Sequence, residues 1–368
     1  MSLSRRRFIA LVGGGTVLAA TASAGAFLAT RTPHAALAPW DAAGGYADPR
    51  LRALSFALLA PNPHNLQPWL AELAGEDTVL IHRDPARRLP ETDPFDRQLT
   101  IGMGCFLELL VIAATDTGHR AEVTLFPQGD GGPVAQVRLV PGAARDPLFA
   151  HVLSRRSVKE PYADTPIPAD AAAALAPHAT VITDPARVAD LRALTWEAFQ
   201  IESATPRTYR ESVDLMRFGR AEIEANPDGI DLGGPLLESL MLAGMLTRAA
   251  QMDPDSTAFA QGKAMYQTML AATPAYAVVT TPGNTRADQI DAGRRWLRLN
   301  LAVTGQGLCL HPVSQCLQEF PEMAEPYARA HALLAEPGQT VQMLGRLGYG
   351  PAVPRTPRWP LEARMRNA

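Results

Sequence analysis

The chain is short of the residues that mark several large protein classes. Its three cysteines, Cys105, Cys309 and Cys316, sit among apolar neighbours. That spacing supplies neither a disulfide framework nor a metal-ligand set. It reads as small buried hydrophobes, with a Cys309–Cys316 bridge as the alternative. Neither sign of charge is in excess: 34 Lys+Arg stand against 37 Asp+Glu, a formal net charge of -3. No basic face follows from that balance, which argues against a nucleic-acid partner. A complete glycine fingerprint for a dinucleotide is also missing. Gly102-Met103-Gly104 lacks the third glycine and follows a charged loop instead of a strand, which excludes a Rossmann reading.

What the chain has is apolar bulk. Hydrophobic residues make up 47% and charged residues 19% of 368, enough for a substantial core in one large domain or two ordinary ones. The N-terminus stands apart. A basic head, Ser4 to Ala10, precedes an uncharged Gly/Ala-rich run from Leu11 to about Leu28, with a small-x-small exit at Ala22-Ser23-Ala24. These features together are a secretory signal, with an uncleaved membrane anchor as the alternative. Arg5-Arg6 with Phe8-Ile9 resembles the twin-arginine signal and departs from it at Ile9 and Ala10. The resemblance implies export by the twin-arginine machinery, to the periplasm or anchored at the inner membrane. That route carries folded proteins, often with a cofactor in place. Gly13 to Gly15 then belong to the signal and not to a phosphate loop.

Beyond a linker of about residues 31–46, Asp48 caps a predicted helix running to Leu59. The stretch PNPHNLQPW follows from Pro61 to Trp69, then a strand over Thr78 to Arg83. Almost every position from Leu99 to Thr115 is apolar, which predicts a central buried helix. The alternating segments AEVTLF and VAQVRLV read as a hairpin. A helix is expected from Asp146, carrying SRRSVKEPY. Further helices are expected over 185–202, 208–225, 236–251, 256–272 and 285–304, with a strand at AYAVVTT. Gly104, Ala113, Thr115 and Gly118 recur as Gly293, Ala302, Thr304 and Gly307 at one constant spacing, and LRALS at Leu51 echoes LRALT at Leu191. Both echoes predict a duplicated half.

Three motifs carry chemistry. In PNPHNLQPW, Asn65 and Gln67 offer amides to a heterocycle edge or sugar-like hydroxyls, and the prolines fix the backbone. From composition alone the stretch is a stiff turn, and His64 within it is either a turn filler or a ligand contact. In RRSVKEPY, Arg155, Ser157 and Lys159 alternate so that a guanidinium, a hydroxyl and an ammonium can meet one phosphate; a solvated basic turn is the alternative. The tail RLGYGPAVPRTPRW adds Arg346, Arg355 and Arg358 among Gly and Pro.

Together these stretches resemble three motifs of the flavin-dependent nitroreductase family: its Pro-Ser-x-x-Asn-x-Gln-Pro-Trp turn, its Arg-Arg-Ser-x-Arg phosphate motif and its closing Gly-Tyr-Pro…Lys/Arg-x-Arg segment. In ordinary members the Arg-Arg-Ser motif comes first, and FMN lies between two identical subunits. Here the order is reversed, as in the Acg-type tandem branch, where the halves of one chain imitate a homodimer. The resemblance implies an α+β fold with a central mixed or antiparallel sheet and long buried helices in two repeated halves. It divides the chain into 1–38 (signal and linker), 39–145 (first half) and 146–368 (second half, with a lid over about 205–272). It implies one FMN per chain in a monomeric pseudo-dimer. FMN would be held by Pro61, Asn62, Pro63, Asn65, Gln67, Arg155, Arg156, Ser157, Lys159, Ser314, Gln315, Arg355 and Arg358. Lys159 replaces the usual Arg, and Asn62 stands where Ser is common. Ser314-Gln315 stand where Glu-Gly usually approach flavin N5. The implied activity is ping-pong reduction of a nitroaromatic or quinone by NAD(P)H, a quinol or a redox partner, with the flavin in place of catalytic side chains. A silent FMN-sequestering protein is the alternative.

Overall fold

The computed structural model describes residues 30–366. The twin-arginine stretch lies outside the described residues. The first half runs α1 (His34–Ala42), α2 (Pro49–Ala57), β1 (Trp69–Ala74), β2 (Thr78–Arg83), α3 (Arg97–Ala114), β3 (His119–Leu125) and β4 (Ala135–Pro141). The second half opens with α4 (Ala169–Leu175), β5 (Thr180–Ile182) and α5 (Pro185–Ala204). A segment of short elements follows: α6 (Pro206–Asp214), β6 (Met216–Phe218), α7 (Gly219–Ala225), β7 (Ile230–Leu232), α8 (Pro235–Leu242), α9 (Arg248–Met252) and α10 (Thr257–Ala271). The half closes with β8 (Ala275–Thr281), α11 (Arg286–Gly305), β9 (Cys309–Pro312), α12 (Ala324–Leu334) and β10 (Thr340–Gly348).

The class is α+β, with the sheet in two parts. One part has strand order β1-β2-β4-β3 and the other β5-β8-β10-β9. Every pairing within both is antiparallel. Each part is built alike: two strands, a long helix, then two strands, with the last strand inserted beside the second. One apolar core joins them, reaching from Trp40 and Leu54 through Phe106 and Leu110 to Trp296, Leu301 and Leu347.

The two long helices make that joint. A Cβ built on Gly104 of α3 would lie 2.2 Å from the Ile290 carbonyl oxygen, and one on Gly293 of α11 would lie 2.0 Å from that of Ile101. Only glycine lets the backbones approach so closely. The echo Gly104/Gly293 is therefore the crossing point itself. Beside it Glu108, buried in α3, accepts from Arg294 and Arg298 of α11 at 2.5 Å each. The shorter echo does not fall at equivalent places: Leu51 lies in α2 ahead of its sheet, and Leu191 in α5 after β5.

Several expected elements differ. The helix expected from Asp146 is a single 3-10 turn, Pro147–His151, after which the chain is extended and Ser157 bridges Leu310 in parallel. The span 208–225 breaks into α6, β6 and α7, where Gly219 takes a left-handed φ of 76°. The span 236–251 breaks at Gly244, with φ 70°. α1 forms inside the expected linker, and β1, β5, α12 and β10 are additional. Cys309 and Cys316 are separate thiols.

Gly104→Ala is expected to cost about 2 kcal/mol or more of unfolding free energy, because backbone faces the new methyl. Gly262→Ala in α10 meets nothing within 4 Å and is expected to be neutral or to stabilise by up to about 1 kcal/mol. Urea denaturation of both variants checks the contrast.

Candidate cofactor-binding site

The three motifs converge where α2 ends. A helix leaves its last carbonyls without intrahelical partners. Just past α2, the carbonyls of Leu58, Leu59 and Ala60 are met by two arginines, one from mid-chain and one from the tail. Arg155 Nη2 donates to Leu59 O at 2.9 Å, and Arg358 donates through Nε to Leu58 O at 2.9 Å and through Nη2 to Leu59 and Ala60 O at 3.3 Å. The positive groups also oppose the negative end of the helix dipole.

The turn from Pro61 to Trp69 follows at once. Its backbone is strained: His64, Asn65 and Gln67 have φ of 49°, 54° and 52°, values that side chains other than glycine rarely adopt. The amides hold it there. Asn62 Oδ1 accepts from Gln67 N at 2.7 Å, and Asn62 Nδ2 donates to Ala60 O at 3.2 Å. Asn65 Oδ1 accepts from Arg358 Nη1 at 2.6 Å, and its Nδ2 donates to Pro357 O at 3.0 Å. Gln67 is fully buried; it donates to Pro227 O at 2.8 Å and accepts from Trp359 N at 2.9 Å. Asn62 and Pro63 rest on α3 at Gly102, where an added Cβ would lie 3.2 and 3.1 Å away.

The amides of Asn62, Asn65 and Gln67 knit the turn to the tail and to the loop at Pro227. Arg358 does the same: besides the carbonyls of Leu58, Leu59 and Ala60, its Nη1 reaches Thr356 Oγ1 and Pro357 O. Trp69 is core, stacked on Phe106 at 4.7 Å. Ser314 Oγ donates to Leu344 O and accepts from Leu344 N, stapling its loop to β10. Gln315 is half-buried in the same 3-10 turn. Arg355 pairs with the exposed Asp41 at 2.6 Å. Arg346 is not a loop residue but a fully buried member of β10, donating to Glu160 O at 2.8 Å.

The strip from Arg155 to Lys159 keeps part of its donors, with Arg155 Nη2 given to Leu59 O and Arg156 Nη1 to Leu153 O and Arg155 O. The bridge of Ser157 to Leu310 runs it extended along the edge strand β9, and alternate residues of an extended chain share a face. Arg155 Nη1 and Arg156 Nε are buried without a partner. Ser157 and Lys159 have no side-chain hydrogen bond or ion pair among the described residues. Three guanidiniums crowd one indole: Arg156, Arg355 and Arg358 lie 4.6, 5.7 and 5.8 Å from the Trp40 ring. Burial, then Arg156, pushes Arg155 down to about 10. Burial, then Arg155, pushes Arg358 down to about 9. Both stay charged at neutral pH, and the unmet cost of gathering them calls for an anion.

Lys159 is exposed, and desolvation by the protein around it lowers its pKa, with Asp231 opposing. Asp231, likewise accessible but enclosed, is raised by burial, with Lys159 and Arg358 opposing. His64 lies near Lys159: burial, then the Lys159 charge, drops its pKa to about 4. Cavities of about 580 and 520 Å3 open elsewhere, bordered by Phe126, Asp130 and Arg286. None of their lining residues belongs to the three motifs.

The segment 205–272 closes over the turn. Asp228 accepts from Arg87 Nη1 at 2.6 Å, Arg217 Nη2 at 2.6 Å and Trp359 Nε1 at 2.8 Å. Gly229 N donates to Asn65 O at 3.3 Å. Asp228, Asp231, Ser212 and Glu202 were not legible as site residues, since only the folded segment brings them here. Burial, with Glu211 adding, raises Glu202 from 4.5 to about 7 against the favourable bonds of Gln318 and Ser212. A raised acid binds its proton more tightly when folded. The corresponding stability is full below about pH 4.5 and is lost as pH rises to about 7. Glu202→Gln is expected to flatten that loss, worth up to about 3 kcal/mol, when urea unfolding is compared at pH 5 and pH 8.

No family model matches this chain. It is 26% identical over 321 residues, 83% of this chain and 87% of the other, to a Mycobacterium tuberculosis (strain H37Rv) protein named "Putative NAD(P)H nitroreductase". It is 32% identical over 119 residues, 31% of this chain and 36% of the other, to a second protein of that strain, which bears that name with the symbol acg. Among solved structures, the FMN-dependent nitroreductase NfnB of Mycobacterium smegmatis aligns at 19% identity and TM-score 0.36, covering 60% of this chain and 98% of that one. By sequence, then, the chain is similar along most of its length to a protein curated under a nitroreductase name.

Proposed function

We propose that this protein is an FMN-binding oxidoreductase of nitroreductase type, with one FMN per chain held between the halves. The observation that carries the reading is the strip Arg155, Arg156, Ser157 and Lys159 beside the strained turn 61–69, in which Arg155 Nη1 and Arg156 Nε are buried without a partner. It offers a buried guanidinium nitrogen with no partner, a hydroxyl and an exposed ammonium on one extended face. That donor set fits a phosphate and the electron-rich edge of a flavin. The relatives' names point the same way. The two sheets with one strand order support reading 39–145 and 146–368 as halves imitating a dimer.

When bound, FMN supplies the redox chemistry, taking electrons from NAD(P)H or a quinol and passing them to an electron-poor acceptor such as a nitroaromatic or quinone in ping-pong order. The chain's own residues bind and tune. Arg155 and Ser157 hold the phosphate side, and Lys159 favours negative charge on the ring. The turn 61–69 gives a rigid wall through Pro61, Pro63 and backbone groups, and the segment 205–272 acts as a lid. The latch of that lid on Asp228 favours a second reading, a closed FMN-sequestering protein that does not turn over.

Absorbance of the purified protein tests both. The wild type is expected to show one flavin per chain, bleached by NADPH or a quinol analogue. Bleaching by no donor selects the sequestering reading. Arg155→Ala is expected to weaken FMN binding by roughly tenfold or more, since one charge-assisted contact contributes about 1.5–3 kcal/mol; full occupancy would remove Arg155 from the phosphate site. We further propose that residues 1–38 direct twin-arginine export to the periplasm or inner membrane. Replacing Arg5-Arg6 with Lys-Lys is expected to leave the protein in the cytoplasmic fraction, and unchanged fractionation would reject the signal.

A further inference from the structure

Helix α8, with the sequence PLLESLML, is built the wrong way round for a helix facing water. It carries one charge, Glu238, and turns it inward. Glu238 is 7% exposed, pairs with Arg31 Nη1 at 3.0 Å and accepts from Arg220 N at 3.1 Å. Helical geometry puts Leu236 and Leu240 on the opposite side, one turn apart. Leu236 is 74% exposed and Leu242 78%, and Met245, just past the helix, is 58% exposed. Leu237, Leu240 and Met241 are half-buried. An ordinary surface helix does the reverse, with its apolar stripe on the core and its charges in water. Of the seven exposed large hydrophobics among the described residues, three fall within residues 236–245. Such a cluster marks an interaction surface.

The N-terminal segment reaches the same place. Besides the Arg31–Glu238 pair, Arg220 Nη1 donates to Thr30 O at 2.8 Å. Arg220 belongs to α7, against which α8 packs. The uncharged run Leu11 to Leu28 ends two residues before Thr30, a gap the chain spans with at most about 7 Å. As a helix that run would be about 27 Å long, close to the ~30 Å hydrocarbon core of a bilayer. Entering a bilayer, it would hold α8 at the bilayer surface. Glycine and alanine make up half of the run, so it is a weak anchor by itself, and stable anchoring takes a second contact. A second copy of this chain fits the face poorly. α8 is only about 12 Å long, whereas a stable protein interface takes about 800 Å2 from each partner. A bilayer needs no such area, because each leucine that enters it contributes separately.

We propose that the exposed face of α8, with Leu236, Leu240, Leu242 and Met245, docks on a lipid bilayer beside the segment 11–28, which stays in the membrane as an anchor. The Arg31–Glu238 pair ties the two contacts together. Docking rests on the inner-membrane arm of the export reading above and needs no cofactor.

The test uses the purified full-length chain, its N-terminus confirmed intact by mass, and vesicles of equimolar phosphatidylethanolamine and phosphatidylglycerol. Wild type is expected to float with the vesicles. The double variant Leu236→Ser with Leu242→Ser changes only exposed positions, and it is expected to keep the wild-type circular dichroism yet partition at least tenfold more weakly. A nitroxide on Leu242→Cys, in a Cys309→Ser background, is expected to lose contact with an aqueous nickel chelate and gain contact with oxygen when vesicles are added. The same label on Leu333→Cys, exposed on α12, is expected to stay in water. A label at position 242 that stays in water on floated protein overturns the docking and leaves the segment 11–28 as the membrane contact. Unchanged partition of the double variant overturns it too. Wild type that does not float overturns docking and anchor together. A dimer in solution that the double variant abolishes overturns the bilayer in favour of a second copy. The export route is read separately, from fractionation after the Arg5-Arg6 exchange, because vesicle binding by purified protein does not pass through it.

Discussion

The end of α2 is the contact on which the site depends. Three carbonyl oxygens just past α2, those of Leu58, Leu59 and Ala60, find their donors in Arg155 and Arg358. Those arginines come from the start of the second half and from the tail. The carbonyls that follow the helix thus draw three distant stretches of chain to one place. The turn 61–69 leaves this point with its backbone strained. The side chains of Asn62, Asn65 and Gln67 over-determine that strain, and so it persists. Arg358 is consumed in the process, and Arg155 is not: one of its nitrogens remains buried and unpaired. The polar groups divide into those that build the site and those it has to offer.

The helix crossing at Gly104 and Gly293 gives this arrangement its frame. Two sheets of one strand order sit on a joined core, and the crossing fixes how one faces the other. A turn belonging to the first sheet's half can then meet a strip lying on the edge of the second. The segment 205–272 is inserted between β5 and β8, where the first sheet's β1–β2 connection is short. The insertion adds Asp228 and Asp231, neither of which has a counterpart in the first half.

Much of this was legible in the chain, and for physical reasons. Arg155, Ser157 and Lys159 read as one donor set from their alternation, although the stretch was expected on a helix and is extended. The run around Gly104 reported a buried helix because no face was polar. What stayed hidden depended on partners far away in sequence. An amide such as Gln67 reads equally well as a ligand contact or a staple, and only the position of Pro227 and Trp359 decides between them. Arg346 and Arg358 look alike among Gly and Pro, yet one is a strand residue and the other a cap for α2. The breaks near Gly219 and Gly244 were missed because a hydrophobic pattern carries through a glycine that turns left-handed.

The central claim is that both walls of one cofactor site come from a single chain. Native mass spectrometry of the purified holoprotein tests it most directly. The account predicts a monomer of about 39.5 kDa, or less if the signal is removed, carrying one FMN. Flavin found only on dimers, or two flavins on one chain, would contradict it.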